Sequence, residues 1–179
     1  MIMKGKNMEK TFRIQTHVTI DEEDLATFLS ILMDVPENCG CAWYKPTKPE
    51  DYDKAEAELE KELGPERKGD ICYTDVYARM LMNGGTLQCL DPESDWHWSG
   101  HEEGELLWKA QIIIEGCEPV GGDWKTVGLA DIASALVKYG SEHVANDVGG
   151  DIKSINENGD CTDADAVIQY AMYGDFIYG

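Results

Sequence analysis

Positive charge is what this sequence has least of. Its 179 residues hold 15 Lys and Arg against 35 Asp and Glu, for a formal net charge of −20 and a pI near 4.3. Unassisted binding to a phosphate backbone is excluded, because the electrostatic term that carries such binding is repulsive here. Long hydrophobic runs are also missing. No stretch of roughly 18 apolar residues occurs, so a membrane-spanning helix is excluded. The opening residues MIMKGKNMEK lack an apolar h-region, and the expectation is a chain without a secretory signal, kept in the cytoplasm. Catalytic signatures are scarce. There is no Gly-x-Ser-x-Gly, Walker A or Gly-x-Gly-x-x-Gly. Gly121-Gly122 and Gly149-Gly150 are not followed by Lys-Ser/Thr, and His101-Glu102 lacks the second His of a zincin. The expectation is a protein that is not an enzyme, with no catalytic residues and no cofactor.

Apolar side chains are plentiful. They make up 42% of the chain and include five Trp and eight Tyr, enough for a core and against global disorder. The length suits one domain. The acidic excess is uneven. Residues 1–68 carry 10 basic and 15 acidic side chains, whereas residues 69–179 carry 5 and 20. No Lys or Arg lies between Arg79 and Lys109, a span that holds Asp91, Glu93, Asp95, Glu102, Glu103 and Glu105. A solvated acidic face accounts for such a run, and so does a surface that imitates nucleic-acid phosphates.

Periodicity predicts the elements. Phe12, Ile14, Thr16, Val18 and Ile20 alternate with polar residues, predicting a strand over Thr11–Ile20. Asp21 to Asp24 suit a helix N-terminus, and Leu25, Phe28, Leu29 and Leu32 supply its stripe. Residues 36–50 read as a loop. Helices are expected over Asp51–Leu63, about 71–82, Glu105–Glu115, Leu129–Tyr139 and from Thr162 to Met172. Thr86–Leu90 and Trp96–Ser99 read as a hairpin across Asp91-Pro92-Glu93-Ser94-Asp95. Residues 117–126 and 146–160 read as loops, and Asp175–Tyr178 as a short closing strand. The expected fold is α+β: a small antiparallel sheet of N-terminal strand, central hairpin and C-terminal strand, packed with about five to six helices.

Three groups could carry chemistry. Cys39, Cys41, His97 and His101 could make a zinc site if loop and hairpin converge, although Cys-x-Cys is tight for zinc. Buried free cysteines in a reducing compartment explain the same residues. Ser154–Asp165 partly matches a calcium loop, but it has Ser first and Asp last where Asp and a bidentate Glu belong. A turn and a helix N-cap give the same pattern. Trp96 and Trp98 flank His97 and share one strand face. They fit core packing, or anchors in an interface if exposed.

Several segments together resemble one family. They are Thr11-Phe12-Arg13-Ile14-Gln15-Thr16 with Asp21-Glu22-Glu23-Asp24, then Asn83-Gly84-Gly85-Thr86-Leu87 with Asp91 to Asp95, and the C-terminal Asp163-Ala164-Asp165-Ala166-Val167-Ile168-Gln169-Tyr170-Ala171-Met172-Tyr173-Gly174 with Ile177-Tyr178-Gly179. They are similar to small acidic proteins carried by phages and mobile elements of gut bacteria. The expected organisation is a flexible stretch at 1–10 and one α+β domain over 11–179; the resemblance implies that residues 117–150 are an insertion and that the setting is a bacterial host cytoplasm. Some proteins of that setting are anti-CRISPR inhibitors of Cas nucleases. The functional expectation is therefore an inhibitor whose acidic surface occupies a basic nucleic-acid channel of a defence nuclease. Asp91, Glu93, Asp95, Glu102, Glu103 and Glu105 would contact the partner, with Trp96 or Trp98 as anchor. The alternatives are a metal-binding module or small enzyme, and a phage accessory protein without a nuclease partner.

Overall fold

A computed structural model describes residues 18–33, 43–101, 116–142 and 151–177. These form six α-helices and five strands: α1 (Glu22–Met33), β1 (Trp43–Pro46), α2 (Pro49–Leu63), α3 (Tyr73–Met82), β2 (Thr86–Leu90), β3 (Trp96–Trp98), β4 (Pro119–Gly121), β5 (Trp124–Gly128), α4 (Leu129–Glu142), α5 (Ile152–Asn158) and α6 (Cys161–Tyr173). A 3₁₀ turn, Pro65–Asp70, links α2 to α3. The class is α+β with small antiparallel sheets, as the periodicity indicates.

The helices begin where short polar side chains satisfy free N–H groups. The Asp24 N–H donates to the Asp21 carboxylate at 2.8 Å, which holds the Asp21 carboxyl below its ordinary value. Asp151 caps α5 by accepting from the Ser154 N–H at 2.9 Å. Asp160 accepts from the N–H groups of Thr162 and Asp163, while the Asp160 N–H donates to Asp163, closing a capping box on α6. Pro49 opens α2, and Gly64, with φ at +80°, closes it before Pro65.

Helix and sheet share one core. Leu25, Phe28 and Leu29 of α1 share one buried cluster with Val76 and Met80 of α3, Ile132 and Leu136 of α4, and Val167 and Ile168 of α6. Burial of such a stripe stabilises by about 2 kcal/mol per large side chain. The main sheet runs β1-β2-β5, antiparallel throughout, with β2 central. Strand alternation turns Leu87, Cys89 and Val127 inward, and Tyr44 packs against the same core. The other face carries the row Trp43, Leu90 and Trp124. A second sheet, β3 with β4, pairs Trp96 with Gly121 and Trp98 with Pro119. Trp98 and Cys117 form a separate small cluster with Trp43 and Trp96.

Several local expectations are corrected. Thr86–Leu90 and Trp96–Trp98 are not a hairpin: β2 pairs with β1 and β5, and β3 pairs with β4. Strands β1, β4 and the start of β5 occupy residues read as loop, because β1 and β4 are too short to develop an alternating pattern and Gly121-Gly122 just before β5 reads as turn. Helix α5 likewise occupies part of the 146–160 stretch. Helix α4 continues past Gly140 to Glu142 and buries Ala135 and Tyr139 beside Ile132 and Leu136. Phe176 and Ile177 are not in a strand, since the Ile177 N–H is taken by the Gln169 side chain at 2.9 Å. Val18 and Ile20, the described end of the predicted first strand, pack on the core without joining a sheet among the described residues. The remainder of that strand, the stretch 1–10 and the Glu105–Glu115 helix lie outside the described residues.

Candidate functional site

The turn between β2 and β3 is built by its own side chains. The Asp91 carboxylate accepts from the Glu93 N–H at 3.0 Å, and the Asp91 carbonyl accepts from the Ser94 hydroxyl at 2.7 Å. These are the local bonds that Asp and Ser offer a turn. A second turn, Gly121 to Asp123 between β4 and β5, lies against it. The Asp91 N–H donates to the Asp123 carbonyl at 2.8 Å, and the Gly122 N–H to the Asp95 carbonyl at 2.9 Å. Gly121 and Gly122 have φ values of +81° and +75°. A Cβ on Gly122 would stand 2.5 Å from Leu90 Cδ1 and 3.0 Å from Trp96 Cβ. Only glycine meets both the left-handed backbone and the close approach.

The two turns together present carboxylates. Glu93, Asp95 and Asp123 are exposed and, with Ser94 and Gly122, line one shallow depression. Trp96 stands next to it, half-buried, its indole N–H donating to the Pro92 carbonyl at 3.3 Å. The Trp124 indole donates to the Gly121 carbonyl at 3.0 Å, and the Lys45 ammonium lies 4.2 Å from its ring centre. That cation is therefore engaged with an aromatic face.

The expected residues divide into distinct roles. Glu93 and Asp95 belong to the exposed acidic turn. Asp91 is half-buried and its carboxylate holds the turn. Trp96 and Trp98 do share a face, with rings 5.3 Å apart and nearly perpendicular. Trp98 is buried and meets Trp43 edge-on at 5.4 Å, so it takes the packing role and not that of an exposed anchor. Glu102, Glu103 and Glu105 lie outside the described residues. Asp123 is not among the residues expected from the sequence. Its signal was Gly121-Gly122-Asp123, a turn composition whose partner turn lies about thirty positions earlier in the chain.

Metal sites find no support among the described residues. No group of three or more His, Cys, Asp or Glu there could hold an ion. Cys39 and Cys41 lie outside them, while His97 is half-buried on the strand face opposite Trp96 and Trp98. The calcium-loop reading of 154–165 is overturned. Ser154, Asn156 and Asn158 are helical in α5, Asp160 caps α6, and Asp165 is buried within α6 and accepts from Gln169 at 2.8 Å. The turn and helix N-cap account for the sequence.

No helix among the described residues is long and apolar enough to cross a membrane. A scan against protein-family models, a search of curated proteins and a search of solved structures each return no match for this chain.

Proposed function

We propose that this protein acts by binding rather than by catalysis: it is an inhibitor whose acidic double turn occupies a basic, nucleic-acid-binding surface of a protein partner. The observation that carries this reading is the convergence of Glu93, Asp95 and Asp123 on one depression beside Trp96. Exposed carboxylates grouped on a glycine-stitched backbone present concentrated negative charge, as a short run of phosphates does. A half-buried tryptophan supplies apolar area at the edge of such a contact. The surplus of 35 acidic over 15 basic residues adds long-range attraction to a cationic channel and speeds encounter. The resemblance to phage and mobile-element proteins supports a defence nuclease as target, of the Cas9 type. In such enzymes Arg and Lys line the guide–target channel and read the PAM.

The test is a DNA-cleavage assay with purified Cas9–guide complex, titrated with wild-type protein and with the triple variant Glu93→Lys, Asp95→Lys, Asp123→Lys. Wild type should inhibit, with potency falling as salt rises. The triple variant should need about tenfold more protein, or greater, for the same inhibition. Equal potency of the two proteins would reject this face. Absence of inhibition, with no basic protein retained by the wild type from bacterial lysate, would reject the reading.

A further inference from the structure

A second surface lies away from the acidic double turn, where α1 and α2 meet the start of α3. It is a groove of about 280 Å³. Its floor is apolar: Ala26 and Leu59 are nearly buried, while Leu63 and Ile71 are half-buried and open to the groove. Its rim is acidic, formed by Glu22, Glu23, Glu62 and Asp75.

Arg79 organises that rim from behind. Its Nε donates to both Glu22 oxygens at 2.9 and 2.8 Å, and its terminal nitrogens donate to the two Glu62 oxygens at 2.9 Å each. The Arg79 side chain is only 15% exposed, and it is not among the residues that line the groove. One cation thus fixes two of four carboxylates in place. Among the described residues no ion pair neutralises Glu23 or Asp75.

We propose that this groove is a second docking surface and that its occupant is a cationic amphipathic segment of a protein partner. One aliphatic side chain of that segment rests on Leu63 and Ile71, with Lys or Arg on either side facing the rim. The floor rewards an apolar anchor because covering it removes half-exposed Leu and Ile from water. The rim selects the sign of the flanking charge. A second copy of this chain is a poor occupant, since two bodies of net charge −20 repel. An acidic or purely aliphatic segment would desolvate Glu23 and Asp75 without bringing a cation to pair them.

The probe is a fluorescein-labelled amphipathic peptide of Leu and Lys only, with a companion in which every Leu is replaced by Ser. Binding to the full chain is read by anisotropy and by amide chemical-shift mapping, with melting curves checking that each variant folds. We expect saturable binding of the Leu/Lys peptide with shifts centred on Ala26, Leu59, Leu63 and Ile71. The Ile71→Ser and Glu23→Lys variants should each weaken it about tenfold, as should the Ser peptide, while Glu118→Lys, at an exposed residue that lines neither acidic surface, leaves it unchanged. Equal binding of the Ser peptide, an equal loss in Glu118→Lys, shifts centred on the 91–95 and 121–123 turns or scattered over the surface, or no saturable binding would each overturn the proposal. Shifts at the double turn alone would still be consistent with the inhibitor reading, so the two readings fail separately.

Discussion

Gly122 shows how one residue decides the geometry of the acidic face. It combines a φ of +75° with a backbone pressed against Leu90 and Trp96. Gly122→Ala should therefore destabilise the protein by about 2 kcal/mol, through left-handed strain and the clash together. Thermal melting checks this, and an unchanged melting temperature would refute the packing described. Tyr170 offers a second test at this scale. Its hydroxyl donates to Glu142 at 2.5 Å. Burial, then that bond, pushes its pKa up to about 12. The neutral phenol is favoured in the folded state, so the stability it contributes is complete below its ordinary value of 10.0 and is lost as pH rises towards 12. Ultraviolet titration of Tyr170→Phe against wild type should remove a tyrosinate signal from the high end of the curve. Asp91 and Trp98 carry a further lesson. Both were visible as acidic or aromatic, but the first holds a turn and the second fills a small core. Residue type limits a role, and burial selects it.

Among the elements, the Arg79 clamp joins the start of α1, the end of α2 and the last turn of α3. The Arg79 hydrogen bond holds the Glu62 carboxyl below its ordinary value of 4.5. A carboxylate depressed in the folded state contributes stability above its ordinary pKa, and that contribution is lost as pH falls through the lowered value. Arg79→Met should lower the melting temperature at neutral pH by roughly 4 °C. It should also flatten the loss of stability on acidification, as a pH series of melting curves would show. Arg79→Lys should not restore the clamp, because an ammonium cannot make two bidentate contacts at once. The strands illustrate a different limit. The 91–95 turn was legible from Asp, Pro and Ser, yet its two strands enter different sheets. The bonds from Asp91 to Asp123 and from Gly122 to Asp95 redirect the chain, and turn chemistry does not encode which distant strand will pair.

At the scale of the whole molecule, 15 cations cannot neutralise 35 carboxylates, so repulsion remains even if every Lys and Arg is paired. Many of the observed pairs are also on the surface, such as Lys54–Glu58 at 4.0 Å and Lys153–Glu157 at 3.8 Å, and contribute little. Raising salt from about 0.02 M to about 0.5 M should therefore raise the melting temperature, because screening relieves more repulsion than attraction. A fall instead would mean that clamps such as Arg79 outweigh the net charge. The same screening weakens attraction to a basic partner, so stability and binding should respond to salt in opposite directions.

The sequence alone determined the α+β class, the stripe of α1 with its acidic N-terminus, and the acidic surplus. All of these depend on neighbours within a few positions, where spacing and side-chain chemistry act directly. Tertiary structure decided what depends on distant partners. It set the two sheets in place of a hairpin, the role of Trp98 as packing, the arrival of Asp123 beside Glu93 and Asp95, and the Arg79 clamp that draws Glu22 and Glu62 to one groove. Those contacts join residues tens of positions apart. Packing of the shared core brings them together, and no local pattern records it.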